Sequence, residues 1–129
     1  LGAEAIQMGT RFVASAESPV HKHYKQAIVD ADATGTWVLN KKATPCIRAL
    51  KTDYTRPMHE SGLLAAEAFQ GIQSVYFGGD MNAAPALAGQ SVGLIHAVEP
   101  VQAIIERTVA EFFAISQRQG AMAVARDFG

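Results

Sequence analysis

Cysteine is almost missing from this 129-residue sequence: Cys46 stands alone, so no intrachain disulfide can form. A cross-linked framework of the kind that holds small secreted domains together is therefore excluded. Long apolar runs are missing too, and none approaches the ~18 residues a membrane-spanning helix needs. The N-terminus has no basic segment leading into an apolar stretch, so it does not read as a signal peptide. No charge of either sign dominates. Eleven Lys and Arg face 12 Asp and Glu, for a formal net charge of −1, which gives no reason to expect nucleic acid as a partner. Patterns such as HExxH, CxxC, Walker and GxGxxG are absent as well. What remains, 49% hydrophobic and 18% charged, is the composition of one soluble globular domain, expected in the cytoplasm.

Along the chain, Glu4 to Gly9 (EAIQMG) reads as a short buried strand following Leu1-Gly2-Ala3, which has the look of a helix end with its glycine cap. Ser18-Pro19 reads as a helix start, with helical spacing from His21 to Ala33. Thr34 to Leu39 is β-prone, Lys41 to Pro45 a polar turn, and Cys46 to Tyr54 a plausible short helix. Pro57 to Gly62 is read as a break, Leu63 to Phe69 as a helix, and Gly78-Gly79-Asp80 as a loop. Ala86 to Leu94 is rich in small residues. From Glu99-Pro100 a last helix runs to about Ser116, with Val101, Ile104, Ile105, Val109, Phe112 and Phe113 on one stripe. A single buried strand cannot satisfy its own backbone hydrogen bonds. The expectation is that Glu4 to Gly9 pairs either across an oligomer or with strands preceding this segment, the second being more economical.

Two short segments carry candidate chemistry. Gly9-Thr10 ends the expected strand, where a glycine lets a ligand approach the backbone and the threonine hydroxyl suits a phosphate. Taken alone, the dipeptide reads better as a bare strand-to-helix turn with no ligand. Ala88-Gly89-Gln90-Ser91 offers uncharged donors and acceptors at Gln90 and Ser91 where a glycine lets the chain pass close to a neighbour, though taken alone it reads better as a glycine-rich loop packed on a helix. His21 and His23 are two apart, which on a helix separates them by about 200° and suits no single metal ion. His59 and His96 have no acidic or cysteine partner at ligand spacing, and Cys46 reads as a small, at least partly buried thiol. No metal site and no complete acid–base pair is expected from these residues.

Three segments together resemble a known family. GAEAIQMGTRFVASAESPVHKHYKQAI is similar to the last barrel strand and following segment of the nitronate monooxygenases, formerly 2-nitropropane dioxygenases. CIRALKTDYTR and AGQSVGLI, the latter followed by a C-terminal helix, match in the same order. The flavin-dependent enoyl-acyl-carrier-protein reductase II enzymes share the pattern. The resemblance implies an α/β protein, the C-terminal part of an FMN-binding (β/α)8 barrel, mostly helical here with the last barrel strand at Glu4 to Gly9. It implies that Gln7, Met8, Gly9 and Thr10 hold the FMN phosphate, and that Gln90 and Ser91 lie towards the substrate. A barrel takes roughly 250 residues, so the other strands are expected upstream, as is the family's catalytic histidine, whose motif none of the four histidines here matches. The implied reaction is oxidation of an alkyl nitronate by O2. The alternatives are an NAD(P)H-dependent flavin reductase on the same fold and a non-enzymatic helical binding or oligomerisation module.

Overall fold

Thr36–Leu39 is β-branched and aromatic in composition, and it forms the first strand, β1, pairing antiparallel with β2, Ile47–Leu50. Thr36 stands opposite Leu50, and Leu39 opposite Ile47. The computed structural model describes residues 4–126, so the helix end expected at Leu1-Gly2-Ala3 lies outside the described residues. Asn40 leaves β1 with φ of 60°, a conformation asparagine tolerates better than most residues. Its side chain then organises the connection. Nδ2 donates to the Pro45 carbonyl at 2.9 Å, and Oδ1 accepts from the Leu64 amide at 3.3 Å. On the other side of β2 the chain returns at Ala86 to Ala88. Leu50 N donates to Ala86 O at 2.8 Å, Ala88 N donates to Arg48 O at 3.2 Å, and Ala49 bridges Leu87.

The described residues also form four α-helices: α1 (Thr10–Val13), α2 (Lys22–Val29), α3 (Arg56–Ser61) and α4 (Val101–Arg126). A π-helical turn (Ser74–Gly78) and a 3-10 turn (Gln90–Leu94) complete the order. α3 ends where Gly62 enters the left-handed region at φ 74°, and the π turn ends the same way at Gly79, φ 76°. The chain divides into two compact units, Leu1–Val98 and Glu99–Gly129. In the first, Tyr24 and Ile28, one helical turn apart on α2, pack with Leu50, Val75 and Val92. Ala14, Ala84, Ala86 and Ala88 fill the space between them, so backbone segments approach closely. The second unit is the α4 helix with its lead-in, where Arg107 grips Glu99 through two 2.7 Å hydrogen bonds.

Several expectations are corrected. Residues 4–8 adopt no regular structure, and Ile6 is 70% exposed. A strand exists only through its neighbours' hydrogen bonds, and among the described residues none pairs with it. Cys46 to Tyr54 is not helical: Ile47–Leu50 is strand β2, because pairing with β1 outweighs the helix preference of Arg-Ala-Leu-Lys. Pro57 starts rather than breaks a helix, sitting in the first turn of α3 where its missing N–H is harmless. Leu63 to Phe69 is not helical: a turn spans residues 66–71, and Tyr54 OH donates to Ala68 O within it at 3.1 Å. α2 begins at Lys22, capped by His21 Nδ1 accepting from His23 N at 3.2 Å, so Ser18 is not the cap. The Cys46 thiol is exposed. α4 runs past Ser116 to Arg126, and of its stripe Ile105, Val109, Phe112 and Phe113 are exposed.

Candidate cofactor-binding site

The turn after Gly9 is tight because its carbonyl accepts from both Phe12 N (2.9 Å) and Val13 N (3.1 Å). Its exit is closed by the buried Ser15, whose Oγ donates to Phe12 O at 2.8 Å and accepts from Ser18 N at 3.2 Å. A side-chain carbon added to Gly9 would meet nothing within 4 Å, so the space over this residue is open to an incoming group. The half-buried Thr10 follows. Its Oγ1 accepts from Gly89 N at 2.8 Å, a contact between residues 79 positions apart. A hydroxyl that accepts one hydrogen bond keeps its own hydrogen as a donor. The geometry therefore turns Thr10 into a hydrogen-bond donor whose oxygen is already fixed.

Gly89 is held in place from two sides. The preceding residues are tied to β2 through Ala86 and Ala88, as described above. From the core, the phenol of Tyr24 donates to Leu87 O. Burial pushes the Tyr24 phenol well above its ordinary pKa, and the charge and hydrogen bonding of the neighbouring Tyr76 side chain add to the shift. The phenol thus stays protonated and remains a donor. A carbon added to Gly89 would sit 3.5 Å from Thr10 Oγ1 and 3.8 Å from Ser91 Oγ, so Ser91 also borders this junction.

Of the residues expected at the site, the structure brings Gly9, Thr10 and Ser91 into one neighbourhood. Gln90 is exposed at the start of the 3-10 turn. Gln7 is exposed and Met8 half-buried, both outside any regular element. Tyr24 and Arg11 escaped sequence reasoning, and the bridging role of the Gly89 amide was not foreseen. Gly89 itself supplies the bridging amide, and Tyr24 anchors its segment. Arg11 places a guanidinium directly after Thr10, with Nη1 donating to Ala97 O at 2.9 Å. Arg11 stands inside the matched QMGTRF segment, and asking which cation follows the Gly-Thr turn would have found it.

The histidines serve elsewhere. His21 and His23 meet edge-on at 4.5 Å, with His23 Nδ1 3.2 Å from Gly79 O. His59 stacks on Trp37 at 4.9 Å. Among the described residues, no group of three or more His, Cys, Asp or Glu converges as a metal site would require. No helix of the described residues is long and apolar enough to cross a membrane.

Comparison with known proteins adds to this picture. Residues 1–111 match the family model described as nitronate monooxygenase. A probable nitronate monooxygenase of Staphylococcus saprophyticus is 38% identical over 60 residues, covering 46% of this chain and 17% of that protein. FabK of Thermotoga maritima superposes with a TM-score of 0.84 at 36% identity, over 92% of this chain and 40% of its own. Its M276A mutant superposes with a TM-score of 0.77, also at 36% identity, over 92% of this chain and 36% of that one. The chain spans less than half the length of each of these relatives.

Proposed function

The chain belongs to the nitronate monooxygenase family, and from that premise we propose that it supplies the phosphate-binding end of an FMN-dependent (β/α)8-barrel oxidoreductase that oxidises alkyl nitronates with O2. The observation that carries this reading is the hydrogen bond from Gly89 N to Thr10 Oγ1, which joins two segments whose family resemblance was noted separately. The donor set fits a phosphate. Thr10 offers a fixed hydroxyl, Gly9 leaves room above the backbone, and Arg11 brings positive charge to the same turn. FMN, when bound, supplies the redox chemistry.

This chain's own residues bind and orient. Thr10 donates to a phosphate oxygen, Gly89 and Tyr24 hold Thr10 and its neighbours in place, and Ser91 faces the adjoining space from the next turn. Gln7 and Met8 complete the backbone approach to Gly9, and Gln90 borders the substrate side. Proton transfer falls to a histidine of the longer polypeptide, since none of His21, His23, His59 and His96 matches the family motif.

A second reading is favoured by a specific observation. The FabK likeness covers 92% of the chain at a TM-score of 0.84, which suits an NAD(P)H-dependent flavin reductase, an enoyl-acyl-carrier-protein or quinone reductase. The full-length protein, made anaerobic, separates the two. Loss of flavin absorbance on adding propionate 3-nitronate but not NADH or NADPH supports the monooxygenase. Loss with a nicotinamide donor and not with the nitronate overturns it in favour of the reductase. No loss with either rejects both.

A further inference from the structure

A cleft of about 530 Å3 opens beside the β1–β2 sheet and the start of α3, and none of its lining residues belongs to the Gly9–Thr10 or Gln90–Ser91 segments. Its wall is Trp37, on β1, whose ring is stacked on His59 with only 11° between the planes. Two cations gather at this one indole. Lys51 Nζ lies 5.5 Å from the ring centroid and the Arg56 guanidinium carbon 5.4 Å from it. The fold sets both positions. Lys51 is the residue after β2, fixed by its amide donating to Gly35 O at 3.0 Å, and Arg56 is the first residue of α3.

The rest of the lining is rich in donors and poor in acceptors. Asn82 Oδ1 accepts from Tyr54 N at 3.4 Å, which leaves the NH2 end of its carboxamide as the donating end. Asp53 is the only carboxylate in the lining, 3.3 Å from Arg56 Nη2 with its side chain 88% exposed. An ion pair that open contributes about 0–1 kcal/mol, so an incoming anion can take its place. The nearby Asp32 carboxylate, which also feels Lys51, is occupied by Thr34, accepting from its amide at 2.7 Å and its hydroxyl at 2.8 Å.

We propose that this cleft is a second anion site, which binds a phosphate-bearing small molecule with Lys51 and Arg56 on the phosphate and Trp37 against the organic part. A phosphate monoester carries close to two negative charges at neutral pH and three strong acceptor oxygens. That matches two cations and an amide donor better than the single charge of a carboxylate does. The guanidinium fork can grip two phosphate oxygens at once. The proposal stands apart from the flavin assignment, and its failure would leave that assignment untouched.

The test is calorimetric titration of the full-length, flavin-loaded protein with inorganic pyrophosphate and with AMP, adenosine serving as the phosphate-free control, while flavin absorbance is followed. Pyrophosphate binds at one site without releasing flavin. The double variant Lys51→Gln/Arg56→Gln weakens it at least tenfold, and Asp53→Asn tightens it severalfold by freeing Arg56. Tighter binding of AMP than pyrophosphate identifies a nucleotide as the natural class, and equal binding identifies the phosphate group alone; either supports the site. Undiminished binding by the double variant, weaker binding by Asp53→Asn, or adenosine binding as well as AMP overturns it. So do an absence of binding and release of flavin by pyrophosphate, the latter placing the anion at the flavin's own phosphate site.

Discussion

Replacing Tyr24 by phenylalanine removes one oxygen from the core of the first unit and leaves the buried ring in place. The lost interaction is the hydrogen bond to Leu87 O, on the segment that presents Gly89 to Thr10. A hydrogen bond of this type contributes about 1 kcal/mol net, and more if its partner is left buried and unsatisfied. The variant should therefore be about 1 kcal/mol less stable at pH 7.

The difference has a pH signature. Burial, then Tyr76, raise the Tyr24 pKa above its ordinary value near 10. The folded state thus favours the neutral phenol. Below pH 10 the phenol is neutral in both states and its contribution is fully present. Above pH 10 the unfolded chain ionises first, and wild-type stability falls by up to about 1.4 kcal/mol per pH unit. Phenylalanine has no such loss, so the deficit of about 1 kcal/mol should vanish by about pH 11 and reverse beyond it. Urea unfolding of both proteins between pH 7 and pH 11 reads this directly, because the other lysines and tyrosines titrate in both and cancel. Equal stability at pH 7, or a gap that does not narrow above pH 10, would refute the reasoning.

Thr55 is fully buried, its Oγ1 donating to Leu50 O and receiving from Thr52 N, both at 2.9 Å. Thr55→Val strips a donor and an acceptor from the join between β2 and α3 and should lower unfolding stability by about 2–3 kcal/mol; a loss below 1 kcal/mol would contradict the assignment. Gly79→Ala forces a Cβ into the left-handed region and to within 2.1 Å of the His21 ring. It should cost about 2 kcal/mol, combining backbone strain with a lost helix cap, and hydrogen exchange should show the first turn of α2 opening while α3 keeps its protection.

Some of this could be read from local pattern. β1 was visible in Thr34 to Leu39, the turn in Lys41 to Pro45, and the start of α4 in Glu99-Pro100, because composition and caps act over a few residues. β2 was not. Ile47–Leu50 has helix-forming residues, and its strand form depends on partners in β1 and at Ala86 to Ala88 that no local window contains. Glu4 to Gly9 failed for the related reason that a strand pattern is only half of a strand. The helical spacing from His21 to Ala33 was legible, though nothing in it indicated that the Tyr24 hydroxyl would reach Leu87. At the site, Gly9-Thr10 and Gln90-Ser91 were each ambiguous in isolation. The bond that makes one neighbourhood of these segments spans 79 positions and belongs to the tertiary structure.

The central claim is that Thr10, fixed by Gly89, holds the phosphate of FMN. The most direct measurement is the FMN dissociation constant of the full-length protein with Thr10→Val beside Thr10→Ser. A hydrogen bond to a charged group contributes about 1.5–3 kcal/mol, so the valine variant should bind FMN roughly 10- to 100-fold more weakly. Serine should bind nearly as wild type, and turnover per bound flavin should change little in either. A valine variant that retains FMN as tightly as wild type would contradict the account.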